Sequence, residues 1–157
     1  MPASSSDSPI GASWVIHCDG SALPNPGRMG LGAVLIAPDG TRQTLTQATH
    51  TIGCNNEAEL RAVMAALRSL PGTGCGVEVY SDNSVLVEQL MQANARPIAR
   101  LASLFDEARE MLTHFDPCVV RWLPRHRNTE ADALARQALG MPPKTPSPPP
   151  KRPRHKR

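Results

Sequence analysis

The hydrophobic period changes partway along this chain, and that change constrains the fold more than any single residue. Before residue 52 the apolar residues fall into short, β-branched runs. WVIHCDG reads as a buried strand ending at Asp19-Gly20, NPG as a turn, and LGAVLIA as a second strand closed by the hairpin signal Pro38-Asp39-Gly40. TRQTLTQATHT is polar and threonine-rich, as suits an edge strand. From Asn56 the spacing becomes helical: Leu60, Val63, Met64 and Leu67 recur at i, i+3, i+4 and i+7, and LPGTGCG stops the helix. VEVYSD is a short strand ending in an acid. NSVLVEQLMQAN and PIARLASLFDEAREMLTHF follow as two helices, the second with Pro97 in its first turn. CVVRWLP is a last strand, and TEADALARQAL a last helix ending at Gly140.

Three meandering strands followed by alternating strands and helices predict an α/β fold, a mixed sheet with helices on its faces. At 157 residues the chain suits one domain. Residues 1–12 are rich in Ser, Pro and Ala and read as a flexible segment, residues 13–140 as the folded body, and residues 141–157 as a disordered, Pro-rich basic tail. The four cysteines stand far apart with no paired spacing, which argues against a zinc site or disulfide framework and for reduced thiols in the cytoplasm. Neither a signal peptide nor an apolar run of membrane-spanning length is visible.

The net charge of +3 conceals an uneven distribution. Six of the seventeen basic residues lie in the last fourteen positions, so residues 1–143 carry eleven arginines, no lysine and fourteen acids. An acidic body binds a polyanion only through local arginines, metal ions or the tail.

Four acids stand out by position, and each has an ordinary structural explanation. Asp19 precedes Gly20 and fits a turn. Glu59 lies three residues after Asn56, the spacing of a capping box, and Asp132 lies three after Thr129. Asp82 sits where a strand gives way to a helix, an N-cap position. Their joint placement suggests more. Asp19 and Asp82 close strands, the end of an open α/β sheet where the functional crevice lies. Glu59 and Asp132 sit in first helical turns that can project into the same space. Carboxylates gathered there would repel one another unless cations bind between them, and oxygen-only ligation suits Mg²⁺ or Mn²⁺.

The segments DGSALPNPG, NNEAEL, YSDNSVLV and PRHRNTEADALA, in that order and spacing, resemble the active-site segments of type 1 ribonuclease H over roughly residues 13–140. The resemblance implies a ribonuclease H-like five-stranded mixed sheet, three antiparallel meander strands plus parallel strands, with helices on both faces. It implies an endoribonuclease that hydrolyses the RNA strand of RNA/DNA hybrids, leaving 5′-phosphate and 3′-hydroxyl ends. Asp19, Glu59, Asp82 and Asp132 would then be catalytic residues holding two Mg²⁺ ions, with Mn²⁺ able to substitute. Two such ions about 4 Å apart activate a water and receive the leaving oxygen. In the family's arrangement Asp19 bridges both ions, Glu59 and Asp82 serve the leaving-group side, and Asp132 the nucleophile side. His126, on a short version of the family's histidine loop, would assist proton transfer or product release; Arg125 and Arg127 beside it suit phosphate.

The same resemblance makes Gly20, Ser21, Ala22, Asn25, Asn55 and Asn56 substrate-binding residues that read the 2′-hydroxyl across a wide minor groove. A turn explains Asn25, and capping explains Asn55 and Asn56, without any substrate. Two features depart from the family. Ser84 stands where many members have glutamine, and the stretch MQANARPIARL offers only Arg96 and Arg100 where many relatives carry a basic, tryptophan-rich protrusion. The tail KRPRHKR either compensates by phosphate contact or merely solubilises. Five aromatic residues are too few for a base-stacking groove. The expected partner is a hybrid duplex, with no membrane, and the expected state a monomer. The competing expectations are a non-catalytic hybrid-binding domain, which would be expected to lack one of the acids, and another metal-dependent nuclease on the same fold.

Overall fold

A computed structural model describes residues 12–71, 75–91 and 98–142. Five strands run in the order β3-β2-β1-β4-β5. β1 (Ser13–Leu23), β2 (Gly27–Ile36) and β3 (Arg42–Gly53) form an antiparallel meander, while β4 (Gly76–Ser81) and β5 (Cys118–Trp122) join it in parallel. The mixed five-stranded sheet is therefore the one expected, with polar β3 on its edge. The hairpin between β2 and β3 is held by Ala37 N–H donating to Thr41 O at 2.8 Å and by Thr41 N–H donating to Asp39 Oδ1 at 2.9 Å.

The helices divide between the two faces. α1 (Asn55–Arg68) crosses β1 and β2 on one face, joined by α2 (Ser84–Met91) and α3 (Ala102–Leu112), while α4 (Thr129–Ala138) covers the other. The larger core lies beneath α1, where Ile16, Val77 and Val79 from the sheet meet Leu60, Val63 and Met64, with Phe105 and Leu112 of α3 behind them. Two glycines set how closely the helices approach. A Cβ on Gly20 would lie 2.2 Å from the Ala58 carbonyl carbon of α1, and one on Gly32 would lie 2.3 Å from the Ala131 oxygen of α4. Both helices thus rest on bare backbone.

Several local expectations change. β1 does not end at Asp19-Gly20: it continues to Leu23 because β2 pairs with it as far as Leu23↔Arg28, so Asp19 is a strand residue and not a turn aspartate. α1 is capped by Cys54, whose sulfur accepts the Glu57 N–H at 3.4 Å, and not by an Asn56–Glu59 box. Asn83, not Asp82, caps α2, its Oδ1 accepting the Leu86 N–H at 3.1 Å. Thr129 is already the first residue of α4, so it forms no cap with Asp132. The stretch expected as one long helix begins as a 3-10 turn at Ala99–Leu101 before α3; Pro97 lies outside the described residues. So do residues 1–11 and 143–157, which include most of the expected flexible segment and the basic tail. Among the described residues no helix is long and apolar enough to cross a membrane.

Candidate active site

The site forms where the sheet's two pairing patterns part. β1 pairs in parallel with β4 only from Ser13↔Gly76 to His17↔Tyr80, while its antiparallel pairing with β2 runs six residues further. Beyond His17 the β4 side of β1 is therefore open, and Asp19 stands in that opening. β4 ends at Ser81, which puts Asp82 at the opposite lip. Trp122 at the end of β5 donates its indole N–H to the Asp82 carbonyl at 3.1 Å and fixes that lip. α1, lying against Gly20, brings Glu59 from its second turn, and α4 brings Asp132.

One carboxylate oxygen from each of Asp19, Glu59 and Asp82 lies within 4.8 Å of the others. Asp132 interacts with Asp19 and lines the same cleft of about 370 Å³, together with Gly20, Ser21, Asn55, Asn56, Asn83, Ser84 and Arg125. The four acids expected to act together are thus together. With Cys54 closing α1 and Asn83 closing α2, neither Glu59 nor Asp82 is engaged as a cap, and both carboxylates line the cleft.

The other expected residues divide. Gly20, Ser21, Asn55 and Asn56 line the cleft; Ala22 and Asn25 do not. They serve it from behind. Asn25 Oδ1 accepts the Asn55 N–H at 3.1 Å, and Asn55 Oδ1 accepts the Ala22 N–H at 2.8 Å, which locks the end of β1 to the start of α1. His126 is exposed on the 3-10 turn Arg125–Arg127 and stands outside the lining, whereas its neighbour Arg125 is part of it.

Two asparagines that the sequence reading did not single out wire the site. Asn128, 1% exposed, donates its Nδ2 to the Cys18 carbonyl at 2.8 Å and to Asp82 Oδ2 at 3.4 Å, joining the start of α4 to both lips. Asn83 donates to Asn56 Oδ1 at 2.8 Å and to the Glu59 carboxylate. The only local signal for either was an asparagine just before a helix.

The electrostatics favour cations. Asp19 is 6% exposed, and burial, then the charges of Asp82 and Glu59, push its carboxyl up to about 9. Burial also raises Glu59, to about 7, with the Asp82 charge adding and the Asn83 hydrogen bond opposing. Such a cluster holds protons unless positive charge replaces them. The donor set is oxygen only and suits a hard divalent cation. A pH dependence follows. The unfolded chain releases the Asp19 proton near pH 4, whereas the metal-free folded protein keeps it to about pH 9, so between those limits the folded state binds the extra proton and stability falls as pH rises. Thermal melts in a chelator should show a melting temperature that declines from about pH 5 to about pH 9. Mg²⁺ or Mn²⁺ should raise it most at the alkaline end, because the cation then displaces fewer protons. A divalent-ion increment independent of pH would count against this cluster as the binding site.

Residues 17–138 match the family described as reverse transcriptase-like. Ribonuclease HI of Halobacterium salinarum is 36% identical over 126 residues, covering 78% of this chain and 62% of that one. The solved RNase H1 structure from that archaeon superposes with a TM-score of 0.72 at 30% identity, over 82% of this chain and 98% of the other. Ribonuclease H of Cupriavidus pinatubonensis is 30% identical over 141 residues, 80% of this chain and 94% of the relative. LC11-RNase H1, solved in complex with an RNA/DNA hybrid, superposes with a TM-score of 0.71 at 26% identity over 82% and 97% of the two chains. The chain spans 62% of the length of the Halobacterium relative, and 35% of that of a bifunctional protein of Mycobacterium tuberculosis to which it is 34% identical.

Proposed function

This chain belongs to the type 1 ribonuclease H family, and from that membership we propose that it is an endoribonuclease that hydrolyses the RNA strand of RNA/DNA hybrids, with 5′-phosphate and 3′-hydroxyl products. The observation that carries the reading is the convergence of Asp19, Glu59 and Asp82, with Asp132 beside them, in a cleft that also exposes Asn55 and Asn56. A relative of the same fold bound to a hybrid supports the substrate class.

In this reading Asp19, Glu59, Asp82 and Asp132 hold two divalent ions, Mg²⁺ or Mn²⁺. Bound there, such ions activate a water near neutral pH and offset the charge on the departing oxygen. The protein's own groups supply position. Gly20 and Ser21 line the cleft floor, where they would meet the RNA backbone. Asn55 and Asn56 present amides to the 2′-hydroxyl, the one group that distinguishes RNA from DNA at the cut. Asn25 and the Ala22 amide orient Asn55, so they contribute indirectly. Arg125 meets a phosphate oxygen. His126, exposed beside it and outside the cleft lining, would assist proton transfer to the leaving oxygen or product release. In this reading the enzyme acts as a monomer, and its four unpaired cysteines suit the reducing cytoplasm.

Labelled RNA/DNA hybrid, RNA/RNA and DNA/DNA duplexes incubated with Mg²⁺ or Mn²⁺ should give cleavage of the RNA strand of the hybrid alone, and none with Asp82→Asn. Equal cutting of all three duplexes would point to a broader metal nuclease, and binding without cutting to a hybrid-binding domain. The presence of all four acids is the observation that disfavours the latter.

A further inference from the structure

Asn83 occupies the junction between β4 and α2, next to Asp82, and its short side chain makes three contacts in opposite directions. Its Oδ1 accepts the Leu86 N–H at 3.1 Å and caps α2. Its Nδ2 donates to Asn56 Oδ1 at 2.8 Å and to Glu59 Oε2, both on α1. Its backbone N–H is held at 3.1 Å by the hydroxyl of Ser81, which is 1% exposed. The amide cannot reverse without losing all three side-chain contacts, so the cap fixes which end faces α1.

We propose that Asn83 is a positioning residue: it orients the Glu59 carboxylate toward Asp19 and Asp82 for a divalent cation and ties that carboxylate to Asn56, the residue offered to the RNA sugar. The proposal rests on the functional reading above. The chemistry of the side chain is what selects it. Aspartate would cap α2 equally well but would turn an acceptor toward the Glu59 carboxylate. Serine would cap too, but it is too short to reach α1. Asparagine carries a cap acceptor and an N–H donor pair on one short arm. Because Asn83 follows Asp82 directly, the same contact also sets the separation of Glu59 from Asp82 across the cleft.

Two substitutions in the full chain separate this role from helix capping. Asn83→Ser keeps a cap oxygen and loses the reach to α1; Asn83→Ala loses both. Isothermal titration with Mn²⁺ or Mg²⁺ in the absence of nucleic acid should show binding weakened by about 10-fold or more in both variants. Only Asn83→Ala should also melt lower by several degrees, through loss of the cap. In cleavage assays at saturating cation, Asn83→Ser should raise KM for the hybrid more than it lowers kcat, since Asn56 loses its partner. Wild-type cation affinity in Asn83→Ser overturns the proposal, as does a loss of affinity that appears only in Asn83→Ala and tracks its melting temperature. If the wild-type chain binds cation but cuts no hybrid, the nuclease reading fails while the titration still decides the role of Asn83. A wild-type chain that binds neither ion overturns both.

Discussion

Asp19→Asn should lose hybrid cleavage by at least about a thousandfold in kcat and, at the same time, make the metal-free protein more stable. The two effects share one cause. Asp19 is the most buried of the four acids and faces Asp82, Glu59 and Asp132 together, so its charge costs most when no cation is bound and matters most when cations are. An amide of the same shape fills the same buried position but removes the negative oxygen. It also removes the proton that the folded state must take up between about pH 4 and about pH 9. The gain in melting temperature in a chelator should therefore be clear near pH 8 and fade as pH falls below about 4, the unfolded value, where Asp19 becomes neutral in both states. Single-turnover cleavage beside thermal melts at the two pH values measures both. A variant that loses activity and stability together would make Asp19 a structural residue, and retained cleavage would remove it from the site.

The contrast between Asp19 and the asparagines shows what a linear reading can reach. The acids were visible because the period of the apolar residues marks where strands end and helices begin, and acids gathered at such ends are unusual enough to be counted. Asp19 falls in the cleft, but as a residue within β1 and not at its end. Asp-Gly in isolation is a turn signal, but here β2 carries the pairing past it, and Gly20 serves close approach to α1 and not reversal of the chain. The caps were misassigned for a related reason. Asn56 with Glu59, and Thr129 with Asp132, match the box spacing, but the chain enters α1 at Cys54 and α4 at Asn128, and sulfur is a poor advertisement for a cap. Asn83 and Asn128 were illegible because their meaning lies in distant partners: Asn128 reaches across 110 residues to Cys18, and Asn83 across 24 to Glu59. No local pattern encodes such pairings.

Gly20→Ala should damage the enzyme through geometry alone, without altering any charged or polar group. The added methyl would lie 2.2 Å from the Ala58 carbonyl carbon and 2.4 Å from both the Ala58 oxygen and the Glu59 nitrogen, all backbone atoms of α1. No rotamer relieves such a contact, so the helix must withdraw from β1 by about 1 Å or more, the gap between those distances and ordinary van der Waals separation. Withdrawal loosens the core beneath Leu60, Val63 and Met64, at a cost of about 1–3 kcal/mol or more. It also carries Asn55, Asn56 and Glu59 away from Asp19, and a displacement of that size costs about 100-fold in rate. A comparison with Leu112→Ala separates the two consequences. That change empties a buried position on α3, far from the cleft, and should cost about 2–5 kcal/mol while leaving kcat near wild type below the melting transition. Cation binding should weaken in Gly20→Ala and hold in Leu112→Ala. Were Gly20→Ala to retain full kcat and cation affinity despite its lowered stability, the close seat of α1 on β1 would not be what brings Glu59 to the other carboxylates.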